Sequence, residues 1–154
     1  MKTRIEVGDK VDDFTLPDET GTPRALSELL SQGPVVLFFY PAALTPGCTA
    51  EACHFRDLAA EFAAVGAQPV GISADPVARQ QEFTERHALG MPLLSDPDGT
   101  VREKFGVARG FSLVPTKRIT FVIGTDRSVL EVIRSEIRMG VHADRALTAL
   151  RARS

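Results

Sequence analysis

The chain has only two cysteines, Cys48 and Cys53, with four residues between them. A thiolate is a nucleophile and a metal ligand, so this pair is the first place to look for chemistry. Ahead of it, Thr45 has N-cap chemistry, Pro46 suits a first helical position, and Gly47 lets the backbone come close to a ligand. On that register Cys48 is the third residue of a helix. Amide N–H groups are still unpaired there, and the positive end of the helix dipole favours an anion. Such donors favour thiolate over thiol and can stabilise negative charge developing on a substrate oxygen. A blander reading fits the same residues. Cys48, Ala52, Phe55 and Ala59 follow helical spacing, and a free cysteine is commonly a small apolar core residue. Placement alone leaves the two readings level.

If both cysteines are helical, their Cα atoms lie roughly 8–9 Å apart and about 140° around the axis. A disulfide needs Cα atoms within about 7 Å, so the two sulfurs bond only if the first turns unwind. Helix ends are where such opening costs least. Cys53 reads otherwise as a buried helical residue with no redox part. A metal site from Cys48, Cys53 and His54 lacks the tight ligand pairs that structural zinc takes, and His87 and His142 lie on other segments. None of the three histidines has the placement of a general base beside Cys48. A general disulfide oxidoreductase favours Cys-x-x-Cys at a helix start, which this spacing does not match. A redox sensor or holdase, in which oxidation of Cys48 changes binding to a partner, is a further reading from a different class.

Bulk composition narrows these choices. With 154 residues, 44% hydrophobic and 25% charged, the chain has the balance of a soluble globular protein and the length of one domain, residues 1–154. Its 18 basic and 20 acidic side chains give a net charge of −2 and no basic stripe, which argues against nucleic acid. The opening MKTRIEVGDK lacks the apolar core of a signal peptide, and no apolar run is long enough to span a bilayer. The expectation is a cytoplasmic protein with no membrane partner, in a compartment that keeps thiols reduced. No GxGxxG phosphate loop is present, and no cofactor is expected.

The elements that must position Cys48 follow from the apolar pattern. Val35 to Phe39 is a continuous apolar run, the mark of a strand covered on both faces. Gln68 to Ser73, Pro92 to Ser95 and Ile119 to Ile123 predict further strands, and Val129 to Ile133 an antiparallel hairpin partner. Between them, Phe55, Leu58, Ala59 and Phe62 form a helical stripe that Gly66 ends. Asp75 as N-cap and Pro76 open a helix to about His87, Val101 to Phe105 forms a short one, and His142 to Arg151 a last one. Strands alternating with helices predict an α/β domain with a mixed central sheet. In such sheets the binding site lies beyond the carboxyl ends of the strands, which points to the segment after Phe39.

That segment carries a resemblance. Pro41-Ala-Ala-Leu-Thr45-Pro-Gly-Cys48 is similar to the signature of the peroxiredoxins, and Thr45 through Phe55 resembles the peroxiredoxin Q, or bacterioferritin comigratory protein, subgroup. Arg118-Ile-Thr-Phe-Val-Ile123 resembles the family's late strand, and Gly8 through Pro17 its N-terminal extension. The resemblance implies a thioredoxin-like fold, with helices on both faces of the sheet, and a thiol-dependent peroxidase. It implies Cys48 as the peroxidatic thiolate and Thr45 as a hydroxyl offered to thiolate and peroxide. Pro41 would shield the sulfur, and Arg118 would hold the thiolate and orient substrate. Cys53 would resolve the sulfenic acid, with Glu51 and Tyr40 in supporting positions. The implied partners are hydrogen peroxide or organic hydroperoxides and a thioredoxin-type thiol donor, and the implied state is a monomer. The stretch between Phe105 and Arg118 is less familiar and is expected to shape peroxide preference.

Overall fold

Residues 4–108 and 116–153 are described by the computed structural model. In chain order the elements are β1 (Thr15–Pro17), β2 (Pro23–Ala25), α1 (Leu26–Leu30), β3 (Val35–Phe39), α2 (Pro46–Asp57), α3 (Ala59–Ala64) and β4 (Gln68–Ser73). They continue as α4 (Val77–His87), β5 (Leu93–Ser95), α5 (Thr100–Lys104), β6 (Ile119–Ile123), β7 (Val129–Arg134) and α6 (Gly140–Arg151). Strands β1 and β2 pair as a small antiparallel hairpin, and the others form one sheet in the order β5-β4-β3-β6-β7. β3, β4 and β5 run parallel, whereas β6 is antiparallel to both β3 and β7. The sheet is mixed, as the alternation of strands and helices predicts.

The β3 residues alternate across the sheet because side chains in a strand point to opposite faces. Val35, Leu37 and Phe39 enter one core with residues of α1 and α5, while Val36, Phe38 and Tyr40 enter a second core with residues of α2, α3, α4 and α6. Full burial on both faces is why the run is apolar throughout. Stacking of Phe38 on Phe55, with ring centroids 4.2 Å apart, fixes the height of α2 over the sheet.

Several elements differ from the sequence reading. The hairpin β1–β2 and helix α1 are too short to leave a readable period. The helix after Cys48, read as continuous to Gly66, breaks at Leu58 (φ −99°, ψ 15°), whose N–H is shared between the carbonyls of His54 and Phe55. That tightened turn separates α2 from α3. Asp75 does not cap α4. Pro76 takes the cap position, and the Asp75 carboxylate is bonded elsewhere.

Candidate active site

Between β3 and α2 runs the loop that delivers Cys48. The Tyr40 N–H donates to the Ile72 carbonyl at 3.1 Å, and the ring packs fully buried against Phe38 and Phe83. Burial holds the Tyr40 phenol well above its ordinary range, so it stays a neutral donor, bonded to Gln80 Oε1 at 2.6 Å. Gln80 Nε2 in turn donates to Ser73 Oγ at 3.0 Å and to the Leu94 carbonyl at 2.8 Å. The Ser73 hydroxyl donates to Asp75 Oδ2 at 2.6 Å, and the same oxygen accepts the Ala43 N–H at 2.7 Å. A chain of polar groups thus ties the loop to the ends of β3, β4 and β5. The next residue, Leu44, sits at φ 67°, a left-handed conformation that a branched side chain adopts only when its surroundings hold it. Asp75→Ala removes the acceptor of this tie. It is expected to lower the unfolding free energy by about 1–3 kcal/mol in urea titration. An unchanged midpoint would show that the loop is held by other means.

Helix α2 begins at Pro46, so Cys48 is its third residue, 1% exposed, as the Thr45-Pro-Gly spacing predicts. Arg118, which directly precedes β6, reaches across to it. Nη2 donates to Cys48 Sγ at 3.4 Å and Nη1 donates to Glu51 Oε1 at 2.7 Å. The guanidinium fork meets sulfur and carboxylate at once, a geometry a lysine cannot reproduce. Gly47 makes room for it, since a Cβ there would lie 3.3 Å from Nη2. Glu51 stands three residues after Cys48, one helical turn along the same face, and is wholly buried. Burial pushes its carboxyl up to about 8, against the opposing pull of Arg118. Burial also works against the charge of Arg118, but Glu51 and Cys48 beside it outweigh that and hold its pKa above the usual value.

The remaining expected site residues are placed differently. Thr45 occupies the N-cap position without a side-chain cap bond. It is exposed, and its hydroxyl donates to the Ala42 carbonyl at 2.7 Å rather than to Cys48. Pro41 is half-buried next to Tyr40, whose own bonds lead to Gln80 and not to the sulfur. Cys53 is a free, half-buried thiol on α2, packed against the second core. Of the stretch expected to shape peroxide preference, Arg109 to Pro115 lie outside the described residues. Among the described residues no group of three or more His, Cys, Asp or Glu side chains is placed to hold a metal, and no helix is long and apolar enough to cross a membrane. Sequence reading did not find Asp75, Gln80 or Ser73. It also set His142 aside, although this residue is wholly buried, with Nδ1 3.6 Å from Glu51 Oε2. One signal was available: His142 lies four residues before Ala146, on the apolar face of the last helix.

Residues 7–132 match the sequence profile of the AhpC/TSA family. The crystal structure of peroxidoxin BcpB from Mycobacterium tuberculosis is 64% identical and superposes with a TM-score of 0.94 over 97% of this chain and 98% of that one. Peroxiredoxin Q from Xanthomonas campestris, at 31% identity, superposes with a TM-score of 0.83 over 90% of each chain. The chloroplastic peroxiredoxin Q of Oryza sativa subsp. japonica is 35% identical over 150 residues, which is 97% of this chain and 68% of that protein.

Proposed function

The chain belongs to the AhpC/TSA family, the peroxiredoxins, and is a thiol peroxidase of thioredoxin-like fold; from that premise we propose that Cys48 is its peroxidatic sulfur and Arg118 the group that holds it. The observation that carries this reading is the 3.4 Å contact of Arg118 Nη2 with Cys48 Sγ at the third position of a helix. A fixed cation and unpaired helix amides together favour the thiolate before substrate arrives. The thiolate attacks one oxygen of a hydroperoxide, the O–O bond breaks, and the departing alkoxide or hydroxide takes a proton. Cys48 is left as a sulfenic acid. Arg118 supplies charge where the leaving oxygen becomes negative, which is where preorganised donors do most for a rate. Thr45 turns its hydroxyl from Ala42 toward the bound peroxide, and Pro41 keeps water from the sulfur. Glu51 and Tyr40 support the arginine and the loop.

Cys53 then condenses with the sulfenic acid, releasing water and forming an intramolecular disulfide, which a thioredoxin-type dithiol reduces by exchange. Both cysteines lie within α2, so this step requires the helix to unwind. Leu58 marks the natural limit of that unwinding, because the backbone already leaves the helical conformation there. The substrates are hydrogen peroxide and organic hydroperoxides, and the protein works as a cytoplasmic monomer of one domain. Cys53→Ser tests the resolving step. Its first turnover is expected to stay within about threefold of wild type, whereas steady-state turnover with thioredoxin should fall by more than about tenfold. Equal steady-state rates would point to direct recycling of Cys48 by the external thiol.

A further inference from the structure

Beyond Cys53, helix α2 is fastened to its neighbours by bonds that the peroxide step does not use. His54 Nε2 lies 2.7 Å from Asp144 Oδ1 on α6. A carboxylate only accepts, so Nε2 carries the proton and donates. The imidazole also lies against the first residue of α6, since a Cβ on Gly140 would stand 3.8 Å from its Cδ2. Helix α6 is a firm support, because Ala143, Ala146, Leu147 and Leu150 are buried in the second core. Two residues after His54, and so nearly opposite around the helix, Arg56 Nη1 donates to the His87 carbonyl at the end of α4 at 2.6 Å. Both bonds fall between Cys53 and Leu58, in the part of α2 that must loosen if unwinding is to run to its limit.

We propose that the His54–Asp144 bond is a clasp on α2: it holds the helix in its wound form and so sets how long the Cys48 sulfenic acid lasts before Cys53 reaches it. The inference deepens the reading of Cys53 as the resolving thiol and rests on it. The wound helix keeps Cys48 under Arg118 and is the form that meets peroxide. The unwound helix is the form that closes the disulfide. A bond made only in the first form adds its free energy to the cost of reaching the second. While the helix stays wound, the sulfenic acid is open to a second hydroperoxide. That reaction breaks another O–O bond, adds its oxygen to the sulfur as a sulfinic acid and releases water or an alcohol. Condensation with Cys53 instead forms the S–S bond, breaks the S–O bond and releases water. The clasp therefore weights the choice between these two fates.

Two variants separate the bond from the charge. Asp144→Ala removes the acceptor, whereas Asp144→Asn keeps an Oδ1 that accepts from Nε2 and loses only the charge. Asp144 is largely exposed, so neither change threatens the fold. In D144A the disulfide is expected to form about two- to fivefold faster after a pulse of hydrogen peroxide, the range of one exposed pair. The sulfinic acid formed per turnover in excess peroxide should fall by a similar factor, with the first peroxide step unchanged. D144N should behave as the wild type does. Hydrogen exchange of the reduced proteins, read by mass spectrometry, reports the opening of α2 without any cysteine chemistry. Amides of α2 should exchange about two- to fivefold faster in D144A alone, and those of β3 and β6 equally in all three proteins. Exchange and disulfide rates in D144A equal to those of the wild type would overturn the proposal. Equal acceleration in both variants would also overturn it, because the effect would then belong to the charge near the start of α6 and not to the bond. If α2 opens faster in D144A but no disulfide forms in any of the proteins, the reading of Cys53 fails and the clasp stands.

Discussion

Cys48→Ser is expected to slow hydrogen peroxide consumption by at least about a thousandfold, with the fold intact. A serine hydroxyl is not ionised at neutral pH, so the helix amides and Arg118 have no anion to hold and the peroxide meets no nucleophile. The oxygen is smaller than sulfur, and the second core to which Cys48 belongs should tolerate the change with little loss of stability. Cys53 remains in this variant as a free, half-buried thiol that feels the Arg56 guanidinium. The residual rate therefore measures what that second thiol contributes on its own. Stopped-flow measurement of peroxide loss decides the matter: a rate within about tenfold of wild type would mean that the activated sulfur is not Cys48.

Arg118→Met should lower the same rate constant by about a hundredfold to a thousandfold, the usual effect of removing a preorganised donor from a developing negative charge. The stability cost depends on pH. A buried ionised carboxylate stripped of its partner costs about 3–5 kcal/mol. Arg118 pulls the Glu51 carboxyl down against burial to about 8, so in R118M it keeps its proton to higher pH and avoids most of that penalty. R118M should thus be folded at neutral pH and lose stability relative to wild type only above about 8. Arg118→Lys restores the charge without the fork. It can face Cys48 Sγ or Glu51 Oε1 but cannot hold both as Nη2 and Nη1 do, and should recover only part of the rate. A methionine variant within about threefold of wild type would remove Arg118 from the chemistry.

How much of this site could be read from the chain depends on how local each feature is. The position of Cys48 was legible because Thr45, Pro46 and Gly47 encode a helix start within a few residues. Strand β3 was legible because burial on both faces leaves an uninterrupted apolar run, and β4 and β6 because their buried residues are mostly apolar. Arg118 and Glu51 came from resemblance rather than spacing, since 67 residues separate two groups that only the pairing of β3 with β6 brings together. Asp75 was misread for a physical reason: Asp-Pro at a helix start satisfies capping rules, and nothing local reveals that the Ala43 N–H competes for the same oxygen. The interruption at Leu58 also left no local trace, because Ala, Glu and Phe on either side are all compatible with a continuous helix. His142 was hidden by the same non-locality, its partners arriving from α2, β6 and the chain after β7.

The central claim is that Cys48 is activated and that Cys53 resolves it within one chain. Its most direct test is to mix the fully reduced protein with one equivalent of hydrogen peroxide, quench at intervals from milliseconds to seconds, and record the intact mass without reductant. A rapid loss of two hydrogens is the result expected, reporting the disulfide between Cys48 and Cys53. A stable gain of one oxygen would keep the peroxidase and remove Cys53 from its cycle. A mass unchanged over the time in which a free cysteine oxidises would contradict the account at its foundation.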